Sequence, residues 1–450
     1  MTDDRKLNHL NLQTTERDGG MSGISAVERR LLSEVLRRVG NPPIHFTLWN
    51  GEQIARPGNR TVAGIVFRDR AIMLKFLWHP ELYFGEGYET GRIEVQGDLV
   101  QLIETVYQNL PRFPRASRQE STLRWWNRFL RYGAAGGSMF GRRKNTTERS
   151  RRNIHRHYDI GNSFYKLWLD SNLVYTCAYF PSPEDDLEKA QVEKMDLVCR
   201  KVRLQPGESV VDAGCGWGAL ALHMARHYGA TVKAFNISRE QILYARQRAR
   251  EEGLQGRVEF IEDDYRNISG RFDVFVSIGM LEHVGLGNYA QLASVIDRSL
   301  TDQGRGLLHF IGRNRQMALN PWILRRIFPG AYPPSIRQAM KIFESQDLSV
   351  LDLENLRLHY AKTLQHWLDR FENSADIVQQ MFGRSFVRAW RLYLASSVAS
   401  FLSGYLQLFQ VTFTRAANNQ IPWTRAYLYA SNDLQPAGAA LPNPSVHAEM

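Results

Sequence analysis

The sequence predicts an α/β chain in two parts: a large domain on a parallel sheet flanked by helices and, before it, a small α+β domain. Three observations carry this. From Arg152 onward, helical stretches alternate with the apolar runs "SVVDAG", "TVKAFN", "VEFIED", "FDVFVSIG" and "GRGLLHFIG", the spacing of successive parallel strands. The first of these continues as "VVDAGCGWGAL", residues 210–220, a strand ending in a glycine turn that opens a helix. With 450 residues and 43% hydrophobic content, the chain is long enough for two packed domains.

Residues 1–21 are polar and acid-containing, so they read as a disordered start and not as a secretory signal. In the small domain, 22–114, "ISAVERRLLSEVLRRVG" has helical periodicity. The runs "IHFTLWNG", "AGIVFRD" and "AIMLKFLW" read as short strands, and "GRIEVQGDLVQLIETVYQNL" as a strand followed by a helix. No catalytic cluster is evident there. Residues 115–151 form a basic linker. Thirteen Arg or Lys against two acids lie between Arg112 and Arg156, so this stretch alone carries the chain's net charge of +11. On a helical wheel Leu123, Trp125, Trp126, Phe129 and Leu130 share one side, and Arg124, Arg128 and Arg131 another. Such a helix suits the interface of an anionic bilayer, or equally a dock on the protein's own core. Arginines interleaved with Trp125, Trp126 and Tyr132 also raise a nucleic-acid binder, but no nucleic-acid motif accompanies them and none is expected as a partner. In the large domain, 152–430, "LQLFQVTFTR" reads as a late edge strand; the Pro- and Ala-rich tail, 431–450, reads as disordered. No run approaches the roughly 20 apolar residues of a membrane span. The cysteines, Cys177, Cys199 and Cys215, are odd in number and without metal-type spacing, which favours a reducing cytoplasm.

A dinucleotide fingerprint places its third glycine three residues after the second, whereas Gly214, Gly216 and Gly218 alternate. That disfavours a pyrophosphate. The turn is expected to offer backbone N–H groups and bare backbone to a bulky ligand, with Asp212 near an amino group. S-adenosylmethionine fits, because its amino-acid end wants an acid and its sulfonium needs no phosphate cradle. Ligands of open α/β sheets sit beyond the carboxyl ends of the strands, which points to Asn236 with Gln241 for the ribose or adenine and to Asp264 and Tyr265 for the adenine amino group. Glu282 and His283 in "SIGMLEHVG" and His309 in "LLHFIGR" fall at the mouth. Nothing has HExxH spacing, so no metal is expected and acid/base or anion-holding roles are. The aromatic stretch "HYDIGNSFYKLWLDSNLVYTCAYF" lacks clean periodicity and reads as a cover over the ligand or as buried aromatics of a capping helix.

At "HYDIGN", "YTCAYF", "VVDAGCGWG", "SIGMLEHVG", "LLHFIGR", "IFPGAYPPS", "HYAKTL" and "YLQLFQVTF" the sequence resembles the cyclopropane fatty acyl phospholipid synthase family, which includes mycolic acid cyclopropane synthases. The resemblance implies a Rossmann-like class I methyltransferase domain that adds a methyl from S-adenosylmethionine across a cis double bond of a membrane-lipid acyl chain. It also implies a bound bicarbonate held by Glu282, His309 and Tyr360, with main-chain help from Cys177 and Ile311, and a cofactor site that includes Tyr175 and Thr176. Anionic phospholipids with unsaturated chains are the implied partner and the inner membrane face the implied location. Methyl- or methylene-branched products, and methylation of a small amine, stay open as alternatives. So does the N-terminal domain's role, lipid binding or support of a homodimer. Where several family members carry a cysteine before the last strand, this chain has Ser397 in "YLASSVASF", which rules out a nucleophilic thiol at that point.

Overall fold

The computed structural model describes residues 23–55, 61–110 and 160–429. The expectations for residues 1–21, the basic linker with its amphipathic helix, and the tail from 431 lie outside them.

In the small domain four strands, β1 (Ile44–Thr47), β2 (Gln53–Ile54), β3 (Ala63–Phe67) and β4 (Ile93–Gln96), pair in the order β2-β1-β3-β4. Only β1 and β3 run parallel. Phe46, Phe67 and Phe76 meet at ring-centroid distances of 5.2–5.8 Å in its core. One expected strand, "AIMLKFLW", is instead the helix Arg70–Trp78. Asp69 caps it by accepting from the Ile72 N–H at 3.0 Å, and Ile72, Met73, Phe76 and Leu77 are buried at helical spacing. A short apolar run does not by itself tell strand from helix; here the aspartate cap and the Pro80 that opens the next helix decide it.

The large domain is built on β5 (Ser209–Ala213), β6 (Thr231–Asn236), β7 (Val258–Glu262), β8 (Phe272–Ile278), β9 (Leu300–Gly312), β10 (Leu348–Asn355) and β11 (Gln407–Arg415). Their order is β10-β11-β9-β8-β5-β6-β7. Strands β5 to β9 are parallel, as the spacing predicts. The late strand β11 is antiparallel and lies inside the sheet between β9 and β10, not at its edge. Its residues are buried on both faces, whereas β10 exposes Val350, Leu351, Leu353 and Asn355. Exposure belongs on an edge, and double-sided burial does not.

The two domains share a core. Tyr88 and Ile103 belong to the same buried cluster as Trp168, Trp322, Trp367 and Trp390. Arg388 of the helix Arg384–Leu402 donates to the Tyr88 carbonyl and, at 3.0 Å, to the Ile93 carbonyl, with its guanidinium 4.2 Å from the Tyr88 ring centre. Glu86 and Glu89 pair with Arg325 and Arg326 at 3.0 and 3.2 Å. Gly85 lies so close to Trp322 that a Cβ would stand 2.4 Å from the indole. No helix among the described residues is long and apolar enough to cross a membrane.

Candidate active site

One cavity of about 460 Å³ opens over the carboxyl ends of β5, β6 and β8 and continues between the domains. At its polar end β5 delivers Asp212, and the chain turns through Gly214, Gly216 and Gly218, all with positive φ (+93°, +55° and +85°). A Cβ at Gly216 would meet nothing within 4 Å, so that glycine leaves room for a ligand. Gly218 does not line the cavity; a Cβ there would strike the Phe260 ring at 2.5 Å, so this glycine serves helix packing. The N–H groups of Gly214 and Cys215 donate to the Phe235 carbonyl at 2.9 and 3.0 Å. These two tie the turn to β6 and are not offered to a ligand.

Asp212 is buried, and its Oδ2 has no hydrogen-bond partner among the described residues. Burial pushes its carboxyl up to about 7, opposed by nearby Lys194. Lys194, also buried, donates to Thr176 Oγ1 at 3.1 Å, and burial pulls its ammonium down to about 8. This lysine was not read as a site residue. The signal was its place on the buried stripe of the helix Leu187–Lys201 with Leu187, Ala190, Gln191 and Val198, because an unpaired charge is costly on such a stripe. Asn236 Nδ2 donates to Gln241 Oε1 at 2.7 Å and to the Gly216 carbonyl at 3.2 Å. Both residues line the cavity with Tyr175 and Thr176. Asp264 and Tyr265 do not. Asp264 accepts from the Arg266 N–H and pairs with its guanidinium at 3.1 Å, while the Tyr265 ring packs in the core beneath β8. The 3-10 turn Tyr265–Asn267 folds both inward.

Deeper in, the short helix Leu281–Val284 after β8 carries Glu282. Its Oε1 accepts the Ile311 N–H at 2.6 Å, while the buried Oε2 has no partner among the described residues. Burial pushes the carboxyl up to about 7. Tyr360, Ile311 and His283 line the same space, and burial pulls His283 down to about 4, so its imidazole is neutral. His309 lies one layer behind: it is buried, does not line the cavity, and accepts at Nδ1 from Gln410 Nε2 at 3.1 Å. Cys177 is likewise fully buried behind the wall, its thiol 3.0 Å from the Ala178 carbonyl. The Ile311 N–H, expected to help hold an anion, is engaged by Glu282 instead.

Beyond Glu282 the wall is aromatic and small. Tyr175 and Tyr393 hydroxyls meet at 2.8 Å, Tyr360 packs on Phe401 at 4.7 Å, and Ser396, Ser397 and Ser400 face the cavity. The Ser397 hydroxyl donates to the Tyr393 carbonyl at 2.8 Å, which leaves no activated nucleophile there. Phe164, Tyr165 and Trp168 of the aromatic segment are fully buried beneath this wall, and Tyr175 from the same segment faces it. Among the described residues no group of three His, Cys, Asp or Glu could hold a metal.

The unpartnered Asp212 Oδ2 is a buried acceptor placed for an ammonium, beside the open space at Gly216. This donor set fits the amino-acid end of S-adenosylmethionine. A sequence profile described as mycolic acid cyclopropane synthetase matches residues 145–411. The chain belongs to that family. Family members are S-adenosylmethionine-dependent methyltransferases acting on lipid acyl chains. Residues 31–118 match a second profile, described as a domain of unknown function. The "Probable fatty acid methyltransferase" of Pseudomonas putida is 33% identical over 399 residues, covering 86% of this chain and 96% of that protein. The cyclopropane-fatty-acyl-phospholipid synthase of Escherichia coli is 38% identical over 264 residues, 58% of this chain and 68% of that protein. Among solved structures, a mycolic acid cyclopropane synthase complexed with SAH and CTAB is 28% identical with a TM-score of 0.56, covering 59% of this chain and 98% of that one.

Proposed function

We propose that this member of the family transfers a methyl group from S-adenosylmethionine to a cis double bond of an unsaturated phospholipid acyl chain and closes a cyclopropane ring, with bicarbonate as the base. The observation that supports this reading is one cavity in which the polar end at Asp212, the buried Glu282 and a wall of aromatic and small side chains follow one another. The printed name of the Escherichia coli relative points to the same acceptor.

When bound, S-adenosylmethionine supplies a strongly electrophilic methyl, which a weak alkene nucleophile requires. In this reading Asp212 holds the cofactor's ammonium, Gly216 admits its backbone-hugging portion, and Asn236 with Gln241 takes the ribose or adenine. The buried site excludes water. The faces of Tyr175, Tyr360, Tyr393 and Phe401 stabilise positive charge as it develops on the acyl chain. When bound, bicarbonate supplies a base for the proton of the transferred methyl. The free Glu282 Oε2 is an acceptor for its O–H, and Tyr360 lines the same space. His309 orders Gln410 and the strand behind them. The basic stretch 115–151 brings the enzyme to anionic membrane surfaces.

The test is mass spectrometry of vesicle phospholipids after incubation with S-adenosylmethionine, with NMR of the product. A gain of one CH2 with loss of the alkene and appearance of ring protons is expected. Unchanged lipid with cofactor bound overturns the reading. A methylene- or methyl-branched alkene is the second reading, in which the same cation loses a different proton, and it is favoured by the Pseudomonas relative and by the tuberculostearic acid methyltransferase of Mycobacterium tuberculosis, 30% identical over 410 residues. Vinylic protons of the branched product in place of ring protons would establish it.

A further inference from the structure

The cavity does not end at the catalytic wall. Past Ser400 and Leu406 it runs into the small domain, where Leu36, Ile44, Phe46, Ile65, Phe76 and Val106 line it. These are core positions of that domain, yet they border open space. The far lobe is wholly aliphatic and aromatic. Between the two lobes lies a polar waist made by Glu81, Tyr107, Arg313 and Tyr405, two residues from each domain. Tyr107 stacks on Tyr405 at 4.7 Å with the planes 4° apart, and the Arg313 guanidinium lies 5.2 Å from the Tyr405 ring centre.

Arg313 is 1% exposed. Its Nη1 donates to the Ala318 carbonyl at 2.7 Å, but Nε and Nη2 have no partner among the described residues. A buried guanidinium with two vacant donors is costly unless something completes it, and its fork geometry matches a phosphate or carboxylate. Glu81 lines the same waist without pairing to it within ion-pair distance. The ligand that matches this layout has an anionic group between two hydrocarbon arms.

We propose that the interdomain chamber binds a diacyl phospholipid across the domain boundary: the phosphate on Arg313, the reacting chain toward Glu282, and the second chain inside the small domain. The small domain is then part of the substrate site and selects two-chain lipids. This rests on the phospholipid reading of the site given above and adds to it where the phosphate and the second chain are held.

The experiment compares the full-length wild type with Val106→Trp, which fills the far lobe, and Arg313→Gln, which removes the guanidinium. Each is assayed on a diacyl phospholipid with cis-unsaturated chains and on the methyl ester of the same fatty acid, which has neither phosphate nor second chain. Val106→Trp is expected to lower diacyl turnover at least tenfold and methyl-ester turnover less than threefold. Arg313→Gln is expected to raise KM for the phospholipid at least tenfold and leave KM for the ester within threefold. Equal effects on both substrates, or none, overturn the proposal. A second readout needs no turnover: a phospholipid with a photoreactive group at the end of one saturated chain is crosslinked, and the labelled peptides are mapped. Label within residues 35–110 supports the proposal, and label confined to residues beyond 160 overturns it. If the wild type methylates neither lipid, the acyl-methylation reading fails on its own, while the crosslink map still decides the chamber.

Discussion

Glu282 shows how far a single side chain here is held from its preferred state. Its carboxyl is pushed up to about 7 by burial and keeps one oxygen without a partner among the described residues. A carboxyl raised in the folded protein contributes stability that is fully present below its unfolded value and is lost as pH rises through about 7. Glu282→Gln is therefore expected to raise the melting temperature at pH 8, by up to about 3 kcal/mol of stability, with no gain at pH 4.5. Turnover should fall at least a hundredfold while cofactor binding persists. Calorimetry and a methyl-transfer assay check the two halves; full activity would remove Glu282 from the chemistry. Asp212 follows the same sign. Its carboxyl ionises near 7, so cofactor affinity should drop as pH falls from 8 to 6, by up to about tenfold per unit below 7. Titration calorimetry of Asp212→Asn should show weak binding without that slope. A slope that survives in Asp212→Asn would assign it to another group.

At the scale of elements, the glycine turn divides its labour. Gly218→Ala puts a Cβ against Phe260 at positive φ and is expected to cost about 2–4 kcal/mol in urea unfolding. Gly216→Ala meets open space, so it should cost only about 1–2 kcal/mol, the strain of an L-residue at positive φ, yet weaken cofactor binding strongly. Equal stability losses would contradict this division. The strands β5 to β9 were legible because each is a bounded apolar run followed by turn residues. The helix Arg70–Trp78 was not, because a short run of seven apolar residues around Lys75 satisfies either period, and only its cap and the following Pro80 distinguish them. The interior position of β11 was not legible either, since strand order depends on which edge a returning chain meets. Asp264 and Tyr265 stand in the expected place along the chain but are turned inward by a 3-10 turn that has no strong signature.

For the whole molecule, the small domain is joined to the large one by Arg388, the Gly85–Trp322 contact and two ion pairs. A cavity crosses that junction. The proposed membrane contact is tested at this scale as well. Replacing Arg124, Arg128 and Arg131 by Gln is expected to weaken binding to anionic vesicles several-fold at low salt, with cofactor affinity unchanged. Vesicle affinity that stays constant in sedimentation would assign the basic stretch another role.

The sequence by itself determined the α/β class, the parallel strands, the glycine turn with Asp212, and the ordered motifs that carry the family. These are local patterns, in which period, turn chemistry and spacing are written in consecutive residues. Tertiary structure alone decided that Lys194 enters the cofactor end, that His309 and Cys177 stand behind the wall, and that the core of the small domain borders the catalytic cavity. Those facts depend on which distant segments pack together, and side chains far apart in the chain acquire their neighbours, their burial and their shifted proton affinities only then.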